Sequence, residues 1–216
     1  MFKGINIQMS PADEKLVAEY EEKLKEQEKA DAYRRYKNSG VPARFFNESF
    51  ETYVADTESE QRAKTTVMKF AQNPQDKVLI LYGENGNGKT HLGSSVIREY
   101  GGEYVLSSTV CVEYESATSY KAPLSRTELL NKLATCKMLV IDECCKYFLN
   151  TELEKFLLGW IISARYANNL PTVLITNGKK EAFVNFLGKA VYDRLTEVCI
   201  SVEFNWQSKR KGLRNE

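Results

Sequence analysis

The chain has 216 residues, with 30 Lys and Arg against 29 Asp and Glu, so its formal net charge at pH 7 is +1. This size suits one α/β domain with a short appendage, and the charge restricts any nucleic-acid contact to a local basic patch. Five cysteines without a CxxC pair and a single histidine disfavour a zinc site and a disulfide framework. No stretch approaches the ~20 apolar residues of a membrane span or the apolar core of a signal peptide. We therefore expect a cytoplasmic protein with reduced thiols and no membrane contact.

Residues 10–37 predict one long polar helix. Ser10 suits the N-cap, and Pro11 suits the first helical position. Charged residues surround a thin apolar stripe, which consists of Leu16, Val17, Tyr20 and Leu24. A helix with so little apolar surface either lies on a partner or projects into solvent.

An aromatic-rich connector at 43–53 and a second helix at 57–74 follow. The aromatic residues of the connector are Phe45, Phe46, Phe50 and Tyr53. They either close the hydrophobic core, which is the commoner role of such a cluster, or provide a surface on which nucleobases stack.

After residue 77 the pattern changes to strands that alternate with helices. Continuous apolar runs typical of buried parallel strands occur at 78–82, 137–142 and 171–177. Two further strands are predicted at 103–109 and 199–206, with a loop at 116–123. Helices are predicted at 90–100, 125–136, 151–169, 181–188 and 189–197. Repeated βα units predict an α/β fold, in which a parallel sheet carries helices on both faces.

Residues 83–90, GENGNGKT, match the phosphate-binding pattern GxxxxGK[ST] at every fixed position, between a predicted strand and a predicted helix. Glycines let backbone N–H groups surround phosphates, and the helix N-terminus adds a positive dipole. Lys89 is expected to reach the β- and γ-phosphates, and the Thr90 hydroxyl to bind Mg²⁺. The predicted nucleotide-binding residues are Gly83, Glu84, Asn85, Gly86, Asn87, Gly88, Lys89, Thr90 and His91. Of these, His91, in the first helical turn, is expected to pack or cap.

Polar side chains follow two of the predicted buried strands. In LVIDE, Asp142 and Glu143 lie at the carboxyl end of a strand, where open α/β sheets bind ligands. Asp142 is expected to hold Mg²⁺, and Glu143 to polarise the attacking water, which favours hydrolysis over phosphoryl transfer to a second substrate. Asn177, at the end of PTVLITN, is expected to orient that water or to sense the γ-phosphate.

Two arginines have no assigned role from spacing alone. Arg194 lies in KAVYDRL, where a surface ion pair is its ordinary role and contact with a neighbouring subunit's γ-phosphate is the functional alternative. Arg210 follows FNWQSK in a basic tail. The adjacent Cys144 and Cys145 are expected to be ordinary small residues near the sheet edge.

Taken together, these stretches resemble the DnaC/DnaI-type bacterial replicative helicase loaders. That family of AAA+ ATPases is related to the initiator DnaA and to the IstB transposition ATPases. The resemblance covers about residues 34–212 and rests on six stretches: SGVPARFFNESFETY, GNGKTHLG, LVIDE, RYANNLPTVLITN, KAVYDRL and FNWQSKR. The last two are the most specific, because a general P-loop ATPase has no reason to carry them.

The resemblance implies a P-loop AAA+ fold, a three-layer α/β core that binds ATP or ADP with Mg²⁺. Residues 1–40 would form an N-terminal helical extension that docks on the helicase, and residues 41–216 the ATPase domain. Arg194 would be an arginine finger, and Arg210 a second arginine that senses nucleotide or contacts another subunit. The implied partners are a hexameric replicative helicase, single-stranded DNA near Ser107, Ser108 and Thr109, and further copies of the chain in an ATP-dependent oligomer.

The sequence also departs from the family pattern. The N-terminal extension is short and has no Cys/His metal site, Gly93 replaces the usual alanine, and Cys144-Cys145 replaces a small or apolar pair. The chain ends soon after its last predicted strand, so we expect no full C-terminal helical lid. The compact length favours a copy encoded by a phage or a mobile element.

Three functions remain open on the sequence alone. The favoured hypothesis is an ATP-dependent loader that delivers a hexameric replicative helicase onto single-stranded DNA, with ATP timing its grip and release. A transposition helper ATPase of the IstB kind shares the same core and differs in its partner. A non-catalytic protein that uses nucleotide only as structural glue, such as a helicase decoy, differs in lacking turnover.

Overall fold

The structure of the protein, a computed structural model, describes residues 11–118, 122–146 and 151–209, with side chains described from Lys15 onward. Its centre is a sheet of five parallel strands within these residues, in the order β2-β3-β4-β1-β5. The strands are β1 (Val78–Gly83), β2 (Glu103–Leu106), β3 (Leu139–Cys144), β4 (Thr172–Thr176) and β5 (Cys199–Phe204). The predicted α/β fold with a parallel sheet is therefore confirmed.

Eight α-helices within the described residues flank the sheet or precede it, and a short 3-10 helix (Ala43–Phe45) lies in the connector. The α-helices are α1 (Pro11–Lys37), α2 (Glu58–Gln72), α3 (Lys89–Tyr100), α4 (Ser107–Ser116), α5 (Arg126–Thr135), α6 (Thr151–Ala167), α7 (Lys180–Leu187) and α8 (Lys189–Val198). The carboxyl ends of all five strands meet at one edge of the sheet, because the strands are parallel.

Buried side chains form two cores, one on each face of the sheet. On one face α2 and α3 pack through residues such as Val67 and Leu92. On the other face α4, α5 and α6 pack through residues such as Leu133 and Ile161. Alternate residues of each strand enter opposite cores, which explains why the strands that lie inside the sheet are continuous apolar runs.

Helix α3 packs on the sheet through Gly93, one of the positions where the sequence departs from the loader pattern. A Cβ atom at this position would come within 2.5 Å of Ile175 Cδ1. The glycine leaves room for the Cδ1 end of the Ile175 side chain on β4, which would have to shift if the usual alanine stood at position 93.

The prediction of a strand over residues 103–109 is wrong beyond Leu106, because α4 begins at Ser107. The Ser107 hydroxyl donates a hydrogen bond to the carboxylate of Glu154 on α6, and Val110 and Cys111 are buried against the sheet. The β-branched residues of this segment favour a strand by propensity, and these tertiary contacts override that preference. β3 also lies two residues later than the predicted strand at 137–142.

Helix α1 projects from the body of the protein. Its side chains are exposed from Lys15 to Ala30, and the apolar stripe is exposed as well: Leu16 67%, Val17 42%, Tyr20 67% and Leu24 46%. Near its end Tyr36 is buried and donates a hydrogen bond to the Phe45 carbonyl oxygen at 2.8 Å. No helix in the described residues is long and apolar enough to cross a membrane. The division of the chain at residue 40 stays a prediction.

The connector between α1 and α2 closes the first core. Phe50 and Tyr53 are buried, and Phe45 and Phe46 are partly buried against the same cluster. The Phe46 ring also meets the Tyr36 ring edge to face, with 6.2 Å between centroids. The aromatic residues therefore pack in the core as the commoner of the two interpretations expects.

One buried arginine on α6 joins three segments on the side of the sheet opposite the carboxyl ends. Arg165 has no exposed surface, and its guanidinium donates to the carbonyl oxygens of Leu133, Cys136 and Pro171 at 2.7–2.9 Å. It also donates to the Thr172 hydroxyl at 2.8 Å. Burial lowers the pKa of Arg165 from its ordinary value, but these acceptors keep the charge solvated by the protein.

Arg165→Met is expected to lower the free energy of unfolding by about 3 kcal/mol or more, because it leaves several buried carbonyl groups without a donor. Urea denaturation followed by circular dichroism measures the change. Arg126→Met is the matched control, since Arg126 donates to the Tyr114 carbonyl from an exposed position and its loss is expected to cost about 0.5 kcal/mol or less. Equal effects of the two variants would contradict the assigned role of Arg165.

Candidate nucleotide-binding site

The phosphate-binding loop lies where predicted, between the end of β1 and the start of α3. Gly83, Gly86 and Gly88 have positive φ angles of 128°, 83° and 92°. A Cβ atom at Gly88 would come within 2.6 Å of Tyr53 Cε2. Glycine is thus required at position 88 both by the backbone conformation and by the close approach of the connector.

Lys89 is folded into the loop that it belongs to. Its ammonium group donates to the carbonyl oxygens of Gly83 at 2.8 Å and of Glu84 at 2.5 Å, and the residue is 4% exposed. A phosphate bound in the loop would offer this buried cation negatively charged acceptors in place of neutral ones. The loop therefore has the charge that a nucleotide requires.

The tip of the loop is fastened to the segment that follows β5. The Asn87 side-chain amide donates to the carbonyl oxygens of Phe204 at 3.0 Å and of Trp206 at 2.5 Å. The Trp206 indole N–H donates to the Asn87 carbonyl at 3.0 Å, and the Lys209 N–H donates to the Gly86 carbonyl at 2.9 Å. Asn87 Oδ1 is the buried side-chain polar atom in the described residues that has no hydrogen-bond partner. Asn87 is buried and is not among the described residues that line the cavity described below, so its role here is to fix the loop against the end of β5.

Asp142 lies at the carboxyl end of β3, opposite the start of α3. Its Oδ2 atom accepts hydrogen bonds from the Thr90 hydroxyl at 2.7 Å and from the Tyr104 hydroxyl at 2.5 Å. Burial and the neighbouring Asp142 charge raise the pKa of Tyr104 far above its ordinary value, so Tyr104 is a permanent donor. A hydroxyl and a carboxylate this close together are hard oxygen ligands of the type Mg²⁺ prefers, so the donor set fits this metal.

Glu143 follows Asp142 in an unusual backbone conformation. Its φ angle is 57° and that of Cys145 is 67°, both in the left-handed region that non-glycine residues rarely adopt. The β3–β4 pairing shifts register between Ile141 and Cys144. The Glu143 carboxylate is partly exposed and pairs with the Lys146 ammonium at 3.2 Å. The strained turn directs Glu143 away from the sheet and toward the cavity described below.

The two adjacent cysteines differ in environment. Cys144 is buried as the last residue of β3, and burial raises the pKa of its thiol well above its ordinary value. Burial and the nearby Glu154 charge raise the pKa of the Cys145 thiol to about 12. Both thiols stay protonated at neutral pH, so neither is an activated nucleophile.

A cavity of about 660 Å³ joins these groups, a volume in the range of small-molecule sites. Its floor consists of Gly86, Gly88, Lys89 and Thr90, and its far wall of Asp142, Glu143 and Asn177. Asn177 follows β4, which lies between β3 and β1 in the sheet. The three strand ends that the sequence singled out therefore meet in one cavity.

The connector forms the third wall of the cavity. Arg44, Phe45, Glu48, Thr52, Tyr53 and Val54 line it there. His91 faces this wall: its imidazole contacts the Ser49 carbonyl at 2.8 Å and the Glu48 carboxylate at 3.2 Å. The side chain of His91 thus joins the first turn of α3 to the connector beside the loop.

Several residues at the site gave no recognisable signal in the sequence. Tyr104 and Lys146 have no motif. Tyr104 reaches the site because β2 lies beside β3, and Lys146 reaches it through the turn at the end of β3. Lys209 pairs with Glu60 at 2.7 Å, contacts the Val54 carbonyl oxygen and lines the cavity. Only the FNWQSKR resemblance marked this segment, and it singled out Arg210 in place of Lys209.

Neither of the two predicted arginines can be placed in the cavity. Arg194 is not among the described residues that line the cavity of its own chain, and Arg210 lies outside the residues that the structure describes. Arg194 is exposed on α8, and one of its terminal nitrogens donates to the Ser163 hydroxyl on α6 at 3.1 Å. The role of Arg210 stays a prediction.

The fold and the site together define an α/β protein with a phosphate-binding loop of the P-loop type. A parallel sheet of order β2-β3-β4-β1-β5 places the phosphate loop after β1 and the two carboxylates after β3. The chain belongs to the IstB-like ATP binding protein family, whose profile matches residues 9–216. No curated protein sequence gives a significant match.

Solved structures of replication proteins share this fold. The crystal structure of the DnaC helicase loader matches with a TM-score of 0.66 and 22% identity, covering 76% of this chain and 100% of that one. The crystal structure of DnaI matches with a TM-score of 0.61 and 17% identity, covering 78% of this chain and 94% of that one. The replication initiator DnaA bound to AMPPCP and single-stranded DNA matches with a TM-score of 0.59 and 16% identity over 77% of this chain. This chain spans about half (51%) of that protein. These similarities confirm the AAA+ fold.

Lys89→Met is expected to weaken ATP binding about 100-fold or more without unfolding the protein, because it removes the buried cation of the phosphate loop. Titration with a fluorescent ATP analogue measures the dissociation constant. Lys77→Met removes a partly exposed lysine that precedes β1, pairs with Asp76 and does not line the cavity, and it is expected to leave the constant unchanged. An unaltered constant in Lys89→Met would show that nucleotide does not bind in this loop.

Proposed function

We propose that the protein is an ATP-hydrolysing loader that delivers a hexameric replicative helicase onto single-stranded DNA. ATP binding favours an oligomer that grips the helicase and the DNA, and hydrolysis releases that grip. The observation that carries the proposal is the extent of the structural similarity. The described fold accounts for the whole solved chain of the DnaC helicase loader, and for about half of DnaA.

The geometry of the site supports hydrolysis as the chemistry of this protein. Backbone N–H groups of the phosphate loop and the Lys89 ammonium bind and orient the triphosphate of ATP. Thr90 and Asp142 would hold Mg²⁺, which neutralises charge on the phosphate oxygens when it is bound. Asp142, Glu143 and Asn177 line the same cavity as the phosphate loop, and we assign the γ-phosphate to their side of it.

Glu143 is the proposed general base. Its carboxylate accepts the proton of the attacking water, and Asn177 orients that water by a hydrogen bond. The Lys146 ammonium lies 3.2 Å from Glu143 Oε1 and competes with the water for the same carboxylate. Turnover of the isolated protein is accordingly expected to be slow.

Arg194 is the proposed arginine finger, supplied to the site of a neighbouring copy. Its exposure on α8 and its distance from the described cavity residues of its own chain both agree with a role between subunits. The Ser163 hydroxyl holds the guanidinium against α6 through a hydrogen bond at 3.1 Å, so the arginine is presented on a rigid pair of helices.

Helix α1 is the proposed helicase-docking element. Leu16, Tyr20 and Leu24 follow one another at a spacing of four residues, so they lie on one side of the helix. All three are exposed on a helix whose body contacts little else in the described residues. An apolar stripe of this type is suited to a groove on a protein partner.

Affinity capture from host lysate tests the loader directly. The tagged wild-type protein is expected to retain the replicative helicase, identified by mass spectrometry. Leu16→Ala/Tyr20→Ala/Leu24→Ala is expected to reduce the recovered helicase about tenfold or more, because it removes the apolar stripe. The matched control, Glu22→Ala/Lys25→Ala/Lys29→Ala, changes the opposite face of α1 and is expected to retain the helicase.

The outcomes of the capture experiment separate the two parts of the proposal. Failure of the wild-type protein to recover a replicative helicase would exclude the loader function. Full recovery by the stripe variant would retain the loader and exclude α1 as its docking element.

Arg194→Ala is expected to lower ATP turnover about 100-fold or more, since an arginine finger stabilises charge in the transition state. Glu143→Gln is expected to do the same from within its own subunit. Mixing the two variants should restore part of the turnover, because Arg194 of a Glu143→Gln subunit can serve the intact site of an Arg194→Ala neighbour. Phosphate release measures turnover.

Lys189→Ala, on an exposed position of the same helix, is the control and is expected to hydrolyse ATP at the wild-type rate. Mixtures as inactive as the separate variants would argue against a contribution in trans. Normal turnover of Arg194→Ala alone would exclude the finger. Absence of turnover in the wild-type protein with single-stranded DNA and helicase would favour the non-catalytic alternative.

A transposition helper ATPase is the second candidate, and membership of the IstB-like ATP binding protein family favours it. The two functions use the same nucleotide chemistry and differ in the partner. Recovery of a transposase in the capture experiment, together with turnover stimulated by duplex DNA in preference to single strands, would establish the helper in place of the loader.

A further inference from the structure

The loop that carries Glu143 rests on a buried carboxylate from another element. Glu154 of α6 is 1% exposed, and its Oε1 atom accepts hydrogen bonds from the backbone N–H of Cys145 at 2.8 Å and of Lys146 at 3.4 Å. These two N–H groups lie two and three residues after Glu143. The backbone of the loop is therefore held by a residue that does not itself line the nucleotide cavity.

The backbone segment that Glu154 holds is also strained. Glu143 and Cys145 both have left-handed φ angles, and the pairing of β3 with β4 loses its regular register at the same place. A non-glycine residue keeps such a conformation only where its surroundings fix it. The described contacts that fix this turn include the Asp142 carboxylate on the Glu143 N–H at 2.6 Å and Glu154 on the Cys145 N–H.

The same Glu154 oxygen reaches a third element. The Ser107 hydroxyl, at the start of α4, donates to Oε1 at 2.5 Å, and Ser107 is itself 1% exposed. Ser107 is thus committed to an internal contact, whereas Thr109 is exposed on the same helical turn. Glu154 Oε1 therefore connects the first turn of α4 with the loop that carries Glu143, the proposed general base.

We propose that Glu154 is a positioning residue that fixes the backbone of the Glu143 loop and ties it to the start of α4. Its effect on ATP turnover rests on the proposed function of Glu143, whereas its effect on the backbone does not. Glu154 does not touch the cavity, so nucleotide binding is expected to be independent of it. A displacement of α4 by a bound ligand would reach Glu143 through this contact.

All three hydrogen bonds depend on the position of Glu154 Oε1. Two substitutions of Glu154 are therefore expected to differ in their effects. Glu154→Gln is neutral but keeps an oxygen at the same reach. Glu154→Asp keeps the charge but withdraws the carboxylate by one methylene group. If Glu154 acts by position, Gln retains the function better than Asp. If Glu154 acts only as a nearby negative charge, the order is reversed.

Hydrogen–deuterium exchange and ATP turnover, measured on the full chain, test the proposal together. Glu154→Asp is expected to speed exchange of the Cys145 and Lys146 amides about tenfold, with the amides of α3 unchanged. Ser107→Ala is expected to speed exchange in the first turn of α4 and at Cys145. Glu154→Gln is expected to stay within about threefold of wild type.

Turnover is expected to follow the same order. Glu154→Asp should lower kcat about tenfold while the dissociation constant of ATP stays within about twofold. A merely structural loss would weaken binding and turnover together. The matched control is Glu128→Ala on α5, because Glu128 also accepts from a backbone N–H and a serine hydroxyl, both of Ser125, at 2.8 and 2.7 Å. It is expected to leave the exchange at Cys145 unchanged.

Each outcome decides the proposal. Unchanged exchange at Cys145 in Glu154→Asp, or a larger effect of Glu154→Gln than of Glu154→Asp, would overturn it. If the wild-type protein does not hydrolyse ATP, the proposed ATPase function fails, and the exchange order of the two variants still decides whether Glu154 fixes the loop.

Discussion

The site depends on one hydrogen bond, from the Thr90 hydroxyl to the Asp142 carboxylate at 2.7 Å. The two residues are far apart in the sequence, and they meet because β3 lies two strands away from β1 in a parallel sheet. α3 starts at the end of β1 and inclines across β4, so its first turn faces the end of β3. Strand order, helix start and the conformation of the glycine loop must all be correct before this bond can form. The Tyr104 hydroxyl from β2 then extends the same contact to a third element.

The sequence predicted those parts whose signal is local. The loop of residues 83–90 has a fixed spacing, and the strands inside the sheet are apolar runs because both of their faces are buried. The sequence did not predict α4, since Ser107 and Thr109 combine with valines in a pattern that resembles a strand. The helix forms there because the buried Glu154 accepts the Ser107 hydroxyl, a contact between residues separated by almost fifty positions.

Contacts between residues that are far apart in the sequence also explain why some residues of the site were not predicted. Tyr104 and Lys146 carry no motif, and Lys209 lies in FNWQSKR without being the residue that the resemblance singled out. Each becomes relevant through a partner that is distant in the sequence or through a turn of unusual geometry. Lys209 is the clearest case, because it joins the segment after β5 to Glu60 of α2 and to the phosphate loop. The loop is thereby enclosed by segments from both ends of the domain, and the resemblance to helicase loaders indicated only that the second segment matters.

The way α1 is attached gives it a mechanical property. The helix has 27 residues, which corresponds to about 40 Å at 1.5 Å per residue. Its base contacts Arg98 of α3, whose guanidinium lies 5.6 Å from the centroid of the Tyr36 ring and donates to the Phe46 carbonyl. Because α3 begins at the phosphate loop, the base of α1 rests on the helix that starts at that loop. A rotation of about 10° at this base would move the far end of α1 by about 7 Å, so the length of the helix would turn a small adjustment at its base into a displacement as large as a side chain.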